Sequence, residues 1–411
     1  MLRRLGLVAF AFALTLWLGL AYADEPKLKI GLLTIQSGPY SAIGEQLEHG
    51  FRYYLEQNGQ KLGGINVDVV ALDTGASPAM AKSKAEELVQ RERVQIVVGP
   101  IASTEALAIH DYMRDAQTPL VSPSALAEDL TQRKASPWFV RATSATGQLS
   151  HPLADYAANT LKYRKIAAIA SDFAYGYEIV GGFQRVFEDN GGVITKKIWV
   201  PLNATDYSSY ISQIGDVDAV YASFSGPAAQ NFLRQYVEFG YKDRVPLLAS
   251  HSTVDESLLP EMGDDPIGVI SSGHYSPTID NPENKEFVRG YRERYKVAPG
   301  FYSAGGYMAA MLIDTALTGF KGDLADKAQL MQALRAANIA RSPRGAITLD
   351  EFGNPVCDVE VRKVERKDGV LQNTIIKTYP QVSQFWTYPP KKFLADPVYS
   401  RDFPPLRSGD K

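Results

Sequence analysis

The chain has 411 residues, with 43 Lys+Arg against 46 Asp+Glu, a formal charge of −3, and 45% hydrophobic residues. This is the composition of an ordinary globular protein, and it has no basic excess of the kind a nucleic-acid surface needs, so nucleic acid is not an expected partner. The single cysteine, Cys357, cannot form an internal disulfide and reads as a small apolar residue.

In chain order, Met1-Leu-Arg-Arg supplies positive charge, 5–20 is apolar, and Ala21-Tyr22-Ala23 precedes Asp24. This predicts a secretory signal peptide over 1–23, cleaved after Ala23, and an exported, periplasmic protein. The apolar run is shorter than the ~20 residues a membrane span needs. Loss of Arg3 and Arg4 would take the charge from −3 to −5. The remaining 24–411 is long enough for two domains.

The first strand is expected over 28–33, a helix over 42–58 and a second strand over 65–72. Ser77-Pro78 opens a helix whose apolar face is Ala81, Ala85, Leu88 and Val89. A β-branched strand follows at 94–98, ended by Gly99-Pro100. Ser103 is the expected N-cap of the next helix, with Thr104 and Glu105 in its first turn. Leu120-Val121 is the next strand, followed by Ser122-Pro-Ser-Ala125. The order βαβαβ calls for a parallel sheet with right-handed crossovers. Ligands in such sheets sit at the carboxyl ends of strands, and helix N-termini carry free N–H donors. Ser103, Thr104, Ser124 and Ala125 are therefore a candidate anion cradle, best suited to a carboxylate.

A second α/β unit follows, with strands at 166–170, 193–200, 219–224, 246–250 and 267–270. Helices are expected at 281–295, 305–318 and 327–336. A hairpin-like stretch at 346–354 and paired strands at 359–365 and 373–377 come next. The tail from Tyr379, rich in Pro and aromatics, is expected as an irregular surface wrap. Two doubly wound units imply two lobes and a cleft, a preferred small-molecule site.

Several motifs occur in order: Ile30-Gly-Leu-Leu-Thr-Ile-Gln-Ser-Gly-Pro39, Val97-Val-Gly-Pro100, Ser122-Pro-Ser124, Tyr175-Gly176 and Leu349-Asp-Glu-Phe-Gly353. Together they resemble the periplasmic solute-binding proteins of the branched-chain amino acid (type I, leucine/isoleucine/valine-binding) class of ABC importers. The resemblance implies an α/β fold of two doubly wound, Rossmann-like lobes joined by a three-stranded hinge that closes on ligand. By analogy the crossovers lie near Arg141, Ser271 and Pro355. Lobe one is then 24–141 and 272–355, lobe two 142–271 and 356–378, and 379–411 a C-terminal extension. It also implies membrane permease subunits as partners, a monomer, and no enzyme activity or cofactor.

The family holds a ligand carboxylate at positions that here are Ser103, Ser124 and Leu126, the last replacing a hydroxyl residue. Its amino-acid binders clamp the ammonium with a tyrosine and an acidic residue, at positions that here are Ser225 and His251. Neither is acidic, and an unpaired buried ammonium costs several kcal/mol. The expected ligand thus has a carboxylate and no α-amino group. Tyr40, Phe173, Tyr175, Phe224 and Tyr302 are the candidate walls, able to stack on a flat ligand. Val382-Ser-Gln-Phe-Trp-Thr-Tyr-Pro-Pro390 and Pro397-Val-Tyr-Ser-Arg-Asp-Phe-Pro-Pro405 resemble tails of the aromatic-acid-uptake subset. The ligand expected is an aromatic carboxylate such as a hydroxybenzoate, benzoate or coumarate. The alternatives are a branched-chain or other amino-acid binder and a ligand-sensing receptor module.

An enzyme lacks sequence support. His49, His110, His151, His251 and His274 have no metal-ligand spacing, no Gly-x-Ser-x-Gly elbow occurs, and no Gly-x-Gly-x-x-Gly follows the first strand. Asp350-Glu351 reads as a turn, since adjacent strand residues point to opposite faces.

Overall fold

Apolar strand runs alternating with amphipathic helices leave the first third of the chain one economical arrangement, a parallel sheet covered on both faces. The computed structural model describes residues 27–407, so the signal peptide read at 1–23 lies outside the described residues. The first sheet comprises β1 (Lys27–Thr34), β2 (Lys61–Leu62), β3 (Ile65–Asp73), β4 (Ile96–Val98), β5 (Leu120–Ser122) and β6 (Phe139–Arg141). Its order is β2-β3-β1-β4-β5-β6, parallel throughout except for the β2–β3 hairpin. Helices α1 (Ser41–Gln57), α2 (Pro78–Glu86) and α3 (Ser103–Asp115) connect its strands.

After β6 the chain crosses to a second sheet through α4 (Thr146–Asp155), which packs on α5 (Ala174–Asp189). Strands β7 (Lys165–Ser171), β8 (Val193–Val200), β9 (Ala219–Ser223), β10 (Leu247–Ser250) and β11 (Ile270–Gly273) run parallel in the order β8-β7-β9-β10-β11. Helices α6 (Ser208–Ile211) and α7 (Pro227–Glu238) fall within this unit. The chain then returns: α8 (Pro282–Tyr295), α9 (Phe301–Leu317) and α10 (Lys327–Ala336) belong with the first lobe, α9 lying along α1. That pairing is close because two glycines face it. A Cβ on Gly50 would stand 1.9 Å from the Ser303 carbonyl, and one on Gly306 2.0 Å from that of Leu47.

The third crossing runs through β12 (Asn338–Ile339), β13 (Ile347–Leu349) and β14 (Pro355–Lys367), the last antiparallel to β11. β15 (Val370–Val382) closes the sheet against β14. The fold is thus the two-lobed α/β architecture of type I periplasmic binding proteins.

Several sequence expectations shift. The strand expected at 267–270 begins at Ile270, because the Val269 N–H closes a turn on Pro266 and Gly268 takes φ +88°. Helix α9 starts at Phe301 rather than 305, which puts Tyr302 in its first turn. The tail is not an irregular wrap. β15 carries it to Val382, α11 (Pro390–Ala395) follows, and Phe385, Phe393 and Tyr399 form a buried aromatic cluster. Arg185 of α5 lies 4.3 Å over the Tyr388 ring and 4.4 Å over that of Phe393, cation–π contacts that fasten the tail to lobe two.

Candidate functional site

The lobes face one another across the carboxyl ends of β1, β4 and β5 on one side and β7, β9 and β10 on the other. Helix α3 starts directly after the β4 turn. Ala102, not Ser103, holds the N-cap position, and its N–H donates to the Glu105 carboxylate at 3.0 Å. Ser103 is the first helical residue, and its Oγ has a different task. It accepts the N–H groups of Leu126 (3.2 Å) and Ala127 (3.1 Å), pinning the β5 loop to the helix. With its lone pairs so used, its proton is left for an acceptor in the cleft. The N–H groups of Ser103 and Thr104, in the first helical turn, have no carbonyl a turn below to bond.

Ser103, Thr104 and Ser124 all line the cleft cavity. Ser124 Oγ donates to the Ile101 carbonyl at 3.2 Å, so its proton is turned away from the cavity. Ala125 does not line it. It is buried alongside, where its carbonyl accepts from Arg141 at 2.6 Å and from Ser122 at 3.0 Å. The adjacent-residue reading placed it in the cradle, but the turn after β5 points it into the sheet.

Lobe two supplies Phe173 and Tyr175 from the start of α5, Phe224 and Ser225 after β9, and His251 after β10. Tyr175 reaches the cleft because α5 sits hard against β7, where a Cβ on Gly176 would stand 2.0 Å from the Ser171 carbonyl. Its Oη is 3.1 Å from Ser252 Oγ, within a cluster of hydroxyls from Ser223, Ser250, Ser252 and Thr253. Tyr40 and Tyr302 complete the wall from lobe one. Tyr302 from lobe one and Ser225 from lobe two both line the cavity.

Sequence reasoning missed Phe301, Ser223, Ser252 and the rim residue Leu202, all of which line the cavity. Phe301 lies between two imidazoles, 4.2 Å from the His251 ring centroid and 5.0 Å from that of His274. Its position beside Tyr302 was the available signal. Asp255, from lobe two, was missed as well. It accepts the Phe301 N–H at 2.8 Å and so caps a lobe-one helix.

The cavity measures about 190 Å³, and no charged side chain is among its lining residues. An apolar cavity of roughly 150 Å³ holds one benzene ring. Burial, helped by the Arg362 charge, pushes His251 down to about 3, so its imidazole is neutral. Burial raises the Tyr175 and Tyr302 hydroxyls above the ordinary phenol range, so both keep their protons. One end of the cavity therefore offers donors and the positive pole of a 13-residue helix, the other neutral hydroxyls and an imidazole. Among the described residues no group of three or more His, Cys, Asp or Glu could hold a metal ion, and no helix is long and apolar enough to cross a membrane.

A cleft of this kind, between two open α/β lobes joined by three crossings, defines a small-molecule binding protein. The periplasmic binding protein family model matches residues 27–369, and the chain belongs to that family. Leu/Ile/Val-binding protein homolog 6 of Brucella melitensis is 30% identical over 389 residues, covering 92% of this chain and 97% of that protein. An ABC transporter substrate-binding protein from Sphaerobacter thermophilus superposes with a TM-score of 0.83 at 34% identity, over 87% of this chain and 99% of that one. A solute-binding protein of an ABC transporter from Rhodopseudomonas palustris BisB5, in complex with 3,4-dihydroxybenzoic acid, gives 0.82 at 30% identity, over 87% and 98%. The chain is thus a substrate-binding protein of an ABC transporter, a component that binds a small molecule and works with membrane permease subunits.

Proposed function

We propose that this chain captures an aromatic carboxylate in the cleft and presents it, as a monomer in the periplasm, to an ABC importer. The observation that carries this reading is the polarity of the cavity. The Ser103 hydroxyl proton and the free N–H groups of Ser103 and Thr104 make one end an anion site. No acidic side chain lines the rest, and the aromatic walls enclose room for about one ring. The 3,4-dihydroxybenzoic acid held by the R. palustris protein supports the same reading. The moving bodies are 24–141 with 272–355 and 142–271 with 356–378.

The name of the B. melitensis relative favours a second reading, a leucine, isoleucine or valine ligand. Against it, the residues that match the family's ammonium clamp, Ser225 and His251, carry no negative charge, and leaving an ammonium unpaired costs several kcal/mol.

Thermal melting of the mature chain with benzoate-type acids, aliphatic acids and amino acids decides between them. A ligand that binds only the folded state raises the midpoint as ln(1 + [L]/Kd). Aromatic acids are expected to raise it and leucine or valine to leave it unmoved. A response to leucine or valine alone overturns the aromatic reading.

A further inference from the structure

The hydroxyl cluster on lobe two fixes which protons face the cavity. Each serine or tyrosine hydroxyl has one proton to give. Ser252 Oγ gives its proton to the Phe224 carbonyl at 2.8 Å. It cannot also donate to Tyr175, so the 3.1 Å contact between them uses the Tyr175 proton. Its neighbours agree. Ser223 donates to Ser250 at 3.0 Å, Thr253 donates to the Phe224 carbonyl at 3.2 Å, and Ser250 gives its own proton to Ser252 or Thr253. With its proton consumed, Tyr175 Oη can offer the cavity only lone pairs.

His251 supplies the complement. Its Nδ1 is sealed in the protein without a partner. A buried N–H left without an acceptor is rarer than an unused acceptor, so the ring proton belongs on Nε2. Nε2 is not among the sealed atoms, and the residue lines the cavity, so this N–H is the one turned to a ligand. The two rings meet edge to face, 6.1 Å between centroids at 76°.

We infer that Tyr175 and His251 form a subsite for a ligand hydroxyl, placed on the ring end remote from the carboxylate. Only a group that both donates and accepts satisfies the two together: its proton goes to Tyr175 Oη, and its oxygen takes the His251 Nε2–H. Resting on the aromatic-acid reading above, this narrows the ligand to a hydroxylated aromatic acid. A ring bearing hydrogen or fluorine there would bury an acceptor and a donor unpaired.

Calorimetric titration of the mature chain with benzoate, 4-fluorobenzoate, 4-aminobenzoate and 4-hydroxybenzoate tests it. The hydroxy acid is expected to bind at least ~10-fold more tightly than the fluoro acid, which matches its size but cannot donate. The amino acid analogue, able to donate but a poor acceptor, falls between them. Tyr175→Phe is expected to shrink the hydroxy-to-fluoro affinity ratio to about threefold or less. Ser252→Ala, which frees the Tyr175 proton to turn inward, is expected to reduce the same ratio. Equal wild-type affinity for the hydroxy and fluoro acids overturns the hydroxyl subsite and leaves the aromatic-acid reading standing. A full ratio retained in folded Tyr175→Phe also overturns it. Binding of none of the four acids overturns both readings.

Discussion

Ser103 shows how one hydroxyl is given two tasks. It holds the N–H groups of Leu126 and Ala127, and so shapes the loop that walls the cleft, while its proton remains for an acceptor in the cleft, on the proposed reading a carboxylate. Ser103→Ala is expected to cost the free protein about 1–3 kcal/mol, since two N–H groups lose their acceptor, and to weaken ligand binding by ~10-fold or more. Denaturant melts and calorimetry read the two effects separately. A change in stability with no change in affinity would mean that the proton is not used by the ligand. The residue's place at the helix start was legible from its type and from the turn before it. Its role as an acceptor was not, because Leu126 and Ala127 reach it only through the fold.

At the scale of elements, the start of α9 is where the lobes are tied. Asp255 follows β10 in lobe two, and its carboxylate caps the lobe-one helix through the Phe301 N–H. Glycine at 300 is what permits this approach, since a Cβ there would stand 2.5 Å from Asp255 Oδ1. An N-cap contributes about 0.5–2 kcal/mol, and here its partners sit on different lobes, so the contact ties one to the other. Asp255→Ala and Gly300→Ala are both expected to weaken ligand binding by roughly 3- to 30-fold, mainly through faster release. Stopped-flow dissociation checks this, and unchanged release rates in both variants would show that the contact does not hold the lobes together. The alternation of strands and helices made both elements readable in advance. That Phe301 opens α9, and that an acidic residue 46 positions earlier caps it, depended on how the lobes meet.

Across the whole molecule, buried histidines contribute to the response to acid. Burial pushes His151 down to about 3, helped by the charge of Arg185, and both its ring nitrogens lack partners. Its ring lies between α5 and the tail, 6.1 Å from that of Trp386 and 6.4 Å from that of Phe393. An unfolded histidine binds its proton near pH 6.5, the folded one only near 3, so the unfolded state takes up more protons between those values. Stability from this group is therefore present above pH 6.5 and is lost as pH falls toward 3. Burial raises Glu256 to about 7, and it acts with the opposite sign: its contribution is full at acid pH and fades as pH rises through 7. His151→Leu is expected to spare about 2 kcal/mol of the loss between pH 6.5 and 5, read from denaturant midpoints at each pH. An unchanged acid profile would show that His151 does not contribute to the acid loss.

Much of this protein is written locally. Strand runs, helix faces, Gly and Pro stops and the hydroxyl-rich strand ends all follow from residues within a few positions of one another, which is why the two-lobed α/β plan and most of the cleft wall could be read in order. The expectation that no acidic clamp is present also came from the sequence, through the resemblance that matches the clamp positions to Ser225 and His251. Only the tertiary structure decided that Ala125 turns into the sheet, that the aromatic tail packs as part of lobe two, and which proton each hydroxyl spends. Those outcomes depend on partners brought together by packing, and hydrogen-bond direction and burial are properties of the assembled cleft that no local pattern encodes.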